Sequence, residues 1–148
     1  MGNCKVIFIS HRGNTTGSNP KLENNPKYIL ATLNKNYDVE IDVWFVKDTF
    51  YLGHDEPQYE VSLLFLQNSK LWCHAKNLQA LQNLLKNNIH CFWHQNDDYT
   101  LTSKGVIWTY PGKLLTKNSI CVMPEKANKI IDTSNCLGVC SDFIEDYK

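Results

Sequence analysis

Ile7-Phe8-Ile9-Ser10-His11-Arg12-Gly13 begins a pattern that recurs in Val39-Glu40-Ile41-Asp42-Val43 and in Leu52-Gly53-His54-Asp55. In each, a short apolar run with the composition of a buried strand carries, or hands over to, polar and titratable groups. A hydrophobic core built from such runs has two histidines, an arginine and two carboxylates delivered to its mouth. Side chains of these types can hold a divalent metal and act on a phosphate ester.

Further strand-like runs extend the series. Together they are expected at Lys5–Ile9, Val39–Phe45, Leu71–His74, His90–Trp93, Val106–Trp108, Ser119–Met123 and Leu137–Cys140. Helices are expected from Asn25-Pro26, where proline suits a first turn, to Leu33, then over Gln58–Gln67 and Asn77–Asn87. Leu78, Leu81, Leu84 and Leu85 give the last of these an apolar stripe at helical period. Phe45–Gly53 reads as a small hairpin turning at Lys47-Asp48-Thr49. Strand, helix, strand in repetition implies parallel strands and an α/β fold. After His90 the pattern thins. Pro111–Asn118, the link before the strand at Ser119, holds only about two helical turns. The outer layer should therefore be nearly bare of helices there.

Composition narrows the function classes. A chain of 148 residues with 43% apolar content and no low-complexity linker predicts one domain over residues 1–148. Zero formal net charge gives no broad attraction to nucleic acid or to an anionic membrane, so an anion must be caught locally. The apolar runs are too short to span a bilayer, and Met1-Gly2-Asn3-Cys4-Lys5 lacks a signal peptide's apolar segment. That start superficially matches a myristoylation signal, but Val6 stands where Ser or Thr is wanted. Six cysteines without a C-x-x-C pair, most of them in strand-like runs, read as reduced thiols of a cytoplasmic protein.

The candidate chemistry follows from strand periodicity. Glu40 and Asp42 share one face of their strand while Val39, Ile41 and Val43 share the other. Adjacent buried carboxylates repel, and a hard divalent cation such as Mg²⁺, Ca²⁺ or Mn²⁺ removes the conflict. His74 and Lys76 repeat the alternation at a strand's end, placing an ammonium group beside that cation to meet a phosphate oxygen. Arg12 is the only arginine, and its planar fork matches phosphate. His11 and His54 supply a base and an acid, with Asp55 next to His54 to orient its ring. His94 and Trp108 read as a substrate wall, and Ser141-Asp142 ends the last strand where site loops gather.

His11-Arg12-Gly13, Leu22-Glu23-Asn24, Glu40-Ile41-Asp42, Gly53-His54-Asp55, His74-Ala75-Lys76 and Gly138-Val139-Cys140-Ser141-Asp142 together resemble the glycerophosphodiester phosphodiesterase family of PLC-like phosphodiesterases. The resemblance runs in order through most of the chain, and its specific motifs lie in residues 7 to 76. It implies a TIM-type barrel and a divalent metal, usually Mg²⁺ or Ca²⁺. His11 and His54 would be the acid–base pair, Glu40 and Asp42 metal ligands, and Arg12 and Lys76 phosphate contacts. Glu23 would stand beside the site.

Two departures accompany the resemblance. The family's ligating carboxylate two residues before the strand-three lysine is His74 here, which tilts the site toward Mn²⁺ or Zn²⁺. The chain is also far shorter than the roughly 250 residues of a typical (β/α)₈ barrel. The expectation is a reduced TIM-type (β/α) barrel of seven or eight mostly parallel strands, with outer helices missing in its second half. A second copy of the chain could cover that thin side as a homodimer. The implied activity is metal-dependent hydrolysis of a small glycerophosphodiester-like substrate. A non-catalytic phosphate-binding module on the same scaffold is the alternative. A zinc-stabilised structural domain is a third reading, under which chelators would unfold the protein.

Overall fold

The computed structural model describes residues 5–148, so Cys4 and the myristoylation-like start lie outside the described residues. The elements are β1 (Ile7–His11), α1 (Pro26–Asn34), β2 (Asp38–Val46), β3 (Thr49–Leu52), β4 (Tyr59–Val61) and α2 (Leu63–Leu66). Next come β5 (Leu71–Ala75), α3 (Leu78–Lys86), β6 (Cys91–Phe92), β7 (Tyr99–Leu101), β8 (Ile107–Thr109), β9 (Ser119–Val122) and β10 (Gly138–Ser141). Two 3₁₀ turns, Pro124–Lys126 and Ile144–Tyr147, flank β10. Among the described residues no α-helix follows Lys86, and no helix is long and apolar enough to cross a membrane.

All ten strands form one mixed sheet. Parallel pairing links β6-β5-β2-β1-β10 and continues through β9 to β8. The remaining three strands pair antiparallel: β3 on β2, β4 on β3, and β7 on β8. The nine-residue β2 is the axis of the arrangement. Its first part pairs with β1, its last part with β3, and Val39–Val43 pair with Leu71–Ala75 of β5. The β2–β3 hairpin turns through Lys47 and Asp48, both at positive φ, as a two-residue turn matched to strand twist requires.

The sheet has two differently built faces. On one, Val39, Ile41 and Val43 pack under Ile29 and Leu33 of α1 and Ala80 and Leu84 of α3. Each helix is opened by an asparagine whose side chain accepts an amide hydrogen bond, Asn25 from Lys27 and Asn77 from Ala80. Leu78 and Leu85 of the expected stripe are instead mostly exposed, because α3 turns Ala80 and Leu84 to the sheet. On the other face Ile9, Trp72, Phe92, Trp108, Ile120 and Cys140 form a second cluster drawn from six strands. Phe92 and Trp108, on the two end strands of the parallel series, stack with ring centroids 4.7 Å apart. The sheet therefore curls until its ends share one core. Ser103 N–H donates to the Cys91 carbonyl and Thr100 Oγ1 to the Trp93 carbonyl, tying the β7 segment to β6.

Two expectations fail. The described residues form ten strands, not seven or eight, because β4 and β7 add antiparallel pairs to the edges of β3 and β8. Gln58–Gln67 is not a single helix: Tyr59–Val61 is a strand and only Leu63–Leu66 is helical. Tyr59 and Val61 pair opposite Leu52 and Phe50, supplying partners for the open edge of β3. Ser62 is extended and its hydroxyl accepts from Phe65 N–H, so a helix can begin only after it. In the second half, the 3₁₀ turn at Ile144–Tyr147 packs over Val139 and Cys121.

Candidate active site

Along the curled face, side chains change from apolar to polar toward the carboxyl ends of the parallel strands. Ile9 gives way to His11, Trp72 to His74, Phe92 to His94 and Cys140 to Asp142. Register carries the change across strands, with His11 opposite Glu40 and His74 opposite Asp42. A cavity of about 430 Å³ opens there, lined by His11, Arg12, Glu40, His54, His74, Lys76, His94 and Trp108 among others. A larger cleft of about 860 Å³ lies at the opposite ends of the strands, near Lys5, Asp38 and Lys70. It contains no histidine, and its one carboxylate, Asp38, already accepts from Trp72 Nε1.

Glu40 and Asp42 are buried, at 3% and 0% exposure. One ligand atom each from Glu40, Asp42 and His74 can be chosen so that all three lie within 4.8 Å of one another. His74 Nδ1 stands 3.2 Å from Asp42 Oδ1 and 3.9 Å from Glu40 Oε1. Its other nitrogen, Nε2, lies 3.0 Å from the His94 carbonyl oxygen. A carbonyl only accepts, so Nε2 donates to it, and Nδ1 is the ring atom that faces both carboxylates. Asp42 Oδ1 and Glu40 Oε2 are buried without a hydrogen-bond partner. Buried, unpartnered carboxylate oxygens beside an imidazole nitrogen make a set of donors that a cation between them would satisfy.

The other oxygen of Asp42 is engaged. Oδ2 accepts from Asn24 Nδ2 at 2.9 Å and lies 3.1 Å from Arg12 Nε. Asn24, held at φ 66°, returns the bond by accepting from Asp42 N–H at 3.0 Å. The result fixes the carboxylate with Oδ1 aimed at the shared point. Burial alone would raise the Asp42 pKa, but His54, His74 and Arg12 hold it well below the ordinary value. Glu40 goes the other way, raised by burial and then by the Asp42 charge. Glu40 is thus the weaker acid of the pair, and Asp42 the stronger.

Arg12 closes one side. It adopts a left-handed backbone at φ 60°, a conformation costing about 1 kcal/mol outside glycine. Its N–H donates to the Glu40 carbonyl, and Gly13, at φ 99°, completes the turn. A Cβ at Gly13 would stand 2.5 Å from the Tyr28 ring, so this turn needs glycine on two counts. The guanidinium donates to Glu23 Oε1 at 3.1 Å and to His54 Nδ1 at 2.6 Å. Glu23 is itself set by Ser18 and the Asn19 N–H.

His11 Nδ1–H donates to Asp142 Oδ1 at 2.7 Å, leaving Nε2 as the free base, 3.7 Å from Glu40 Oε2. Asn14 Nδ2 also donates to Asp142, and Tyr28 donates to Asn14 Oδ1. Burial pulls the His11 pKa down, but the Asp142 hydrogen bond and the Glu40 charge outweigh it and leave it raised. His54 is half exposed, and because Arg12 can only donate, its own proton sits on Nε2.

The residues singled out in the sequence thus gather around one cavity, with three qualifications. Asp55 is 92% exposed and only 3.6 Å from His54 Nε2, so the groups facing the other ring nitrogen of His54 are Arg12 and Asp42. Trp108 is buried in the floor beneath the cavity. Lys76 lines the cavity and has no ion-pair partner among the described residues. Asp142 was noted at its strand end without a role, and its contact with His11 was not anticipated. Asn14 and Asn24 look like ordinary loop asparagines, and nothing in the sequence marks them out.

No protein-family model matches this chain, and comparison with curated proteins and with solved structures finds no significant match. A functional reading therefore stands on the geometry and chemistry of the site.

Proposed function

We propose that this chain is a metal-dependent phosphodiesterase acting on a small glycerophosphodiester-like substrate, on a reduced (β/α) barrel. The barrel reading is supported by the seven parallel strands and by the Phe92–Trp108 stack that joins the two end strands. The function rests on one observation above all: Glu40, Asp42 and His74 converge with unpartnered buried oxygens, between two imidazoles and two cationic side chains.

Glu40, Asp42 and His74 would hold the cation, a mixed oxygen and imidazole set that suits Mn²⁺ or Zn²⁺ as well as Mg²⁺ or Ca²⁺. When bound, the cation supplies Lewis-acid stabilisation of negative charge on a phosphoryl oxygen. Lys76 and Arg12 neutralise the other oxygens and orient the diester. His11 Nε2, the ring nitrogen left free by the Nδ1–H bond to Asp142 and made more basic by it, takes the proton of the attacking hydroxyl or water. His54 donates to the departing alkoxide from Nε2. When Arg12 turns to the phosphate, His54 Nδ1 is left facing Asp42 Oδ2 at 3.6 Å.

Turnover of bis(p-nitrophenyl) phosphate and glycerophosphocholine across a panel of Mg²⁺, Ca²⁺, Mn²⁺ and Zn²⁺ tests this reading. Metal-dependent hydrolysis lost in His11→Ala and His54→Ala is the expected result; equal turnover in both variants and wild type rejects the acid–base roles. A second reading, a binding module without turnover, is favoured by His74 at the third ligand position and by the Arg12–His54 bond, which occupies the guanidinium meant for phosphate. Phosphate binding by calorimetry with no hydrolysis under any metal would select it.

A further inference from the structure

A second groove adjoins the cavity, and Tyr110, Pro111 and Lys126 line both. It measures about 440 Å³ and is completed by Gly112 and Lys113 from the loop after β8 and by Ala127, Asn128 and Lys129 after the first 3₁₀ turn. The two loops meet closely, since a Cβ on Gly112 would lie 3.8 Å from Ala127 Cβ. Three lysines and no carboxylate line this groove. Lys113 lies 3.5 Å from Asp98 across an exposed contact, a weak pairing in water. Lys126 and Lys129 have no ion-pair partner among the described residues.

The chain as a whole has no net charge, so this concentration of ammonium groups beside the site is local. Like charges gathered on two loops repel one another, and an anion between them relieves the repulsion. Lys76 serves the phosphoryl group at the strand ends, whereas Lys113 and Lys129 line only the outer groove. They have no part in the chemistry proposed above.

We propose that this groove is a second anion subsite, which, resting on the phosphodiesterase reading, binds a phosphate or carboxylate carried on one arm of the diester. Substrates with an acidic head group are then preferred over those with a neutral or cationic one. Specificity comes from Lys113, Lys126 and Lys129, while Tyr110 and Pro111 form the wall shared with the reacting centre. The anion can belong to a soluble diester or to a lipid head group. Leu114, 80% exposed, and the fully exposed Ile130 stand on the same two loops and give the lipid source a physical basis.

Calorimetry on the full chain with glycerol phosphate and with glycerol bisphosphate, each with and without Mn²⁺, reads the subsite directly. The bisphosphate is expected to bind about tenfold tighter or more, from charge-assisted contacts to the extra group. The exposed double substitution Lys113→Gln with Lys129→Gln is expected to shrink that advantage to about twofold or less. Equal wild-type affinities, or an advantage that survives both substitutions, overturns the subsite. Mn²⁺-independent isotherms with the preference intact reject the metal centre and leave the subsite standing. Sedimentation with phosphatidic acid vesicles, abolished by the same substitutions, assigns the anion to a lipid; bisphosphate binding without sedimentation assigns it to a soluble substrate.

Discussion

In the proposed metal centre, His74 is the residue on which metal preference would turn. An imidazole nitrogen between two carboxylates raises affinity for transition metals and lowers it for hard, oxygen-seeking cations. His74→Glu should therefore shift the selectivity ratio of Mg²⁺ over Mn²⁺ upward by about tenfold, read by competition calorimetry. Asp142 acts through another side chain: its carboxylate fixes which nitrogen of His11 carries the proton. Asp142→Asn keeps the shape and supplies an amide that can present a donor to Nδ1, stabilising the wrong tautomer. Diester turnover should fall by roughly 10²–10⁴-fold, with the urea midpoint little changed. An unaltered kcat would show that His11 needs no such orientation. Both effects belong to single atoms; the first was legible in the sequence, the second only once the strands were placed side by side.

At the scale of elements, Asn77 joins α3 to the sheet. Its side-chain oxygen accepts from Ala80 N–H, capping the helix, and from Phe45 N–H at the end of β2. Its amide donates to the Phe45 carbonyl. Asn77→Ala removes a cap and leaves two strand groups short of partners, so it should destabilise by about 2 kcal/mol in urea unfolding. A loss under a few tenths would mean that water replaces those bonds. The short helix at Leu63–Leu66 shows the limits of pattern reading. Tyr59–Gln67 has apolar residues at spacings a helix could use, yet strand pairing to the exposed edge of β3 wins. Local propensity could not register a partner that lies outside its own window.

At the scale of the whole molecule, the polar cluster sits above an aromatic floor that carries its own pH-sensitive group. His90 packs against Trp72 at 4.4 Å between centroids, and its Nε2 lies 2.7 Å from Thr102 Oγ1. Burial, then the charge of Lys104, lowers its pKa to about 4. The unfolded chain takes up that proton near the ordinary value of about 6.5 while the folded chain does not. Stability should thus decline as pH falls from about 6.5, and the His90 share of the loss is complete near the folded value. His90→Asn should flatten the difference between urea midpoints at pH 7 and pH 5. A variant curve parallel to wild type would assign the acid sensitivity to other groups, such as His94, whose pKa burial also lowers.

The sequence by itself determined which segments are the parallel strands and which residues lie near their carboxyl ends. Both follow from local rules: apolar runs of strand length, period-two alternation and the position of polar residues at run ends. Glu40 with Asp42, and His74 with Lys76, could be assigned to shared faces because alternation is a property of one strand. Only the tertiary structure decided that these faces turn to the same cavity. Strand register and sheet curl, contributed by residues far apart in the chain, set His11 opposite Glu40 and Phe92 against Trp108. The same long-range geometry recruited Asn14, Asn24 and Asp142, whose meaning lies wholly in hydrogen bonds to distant residues.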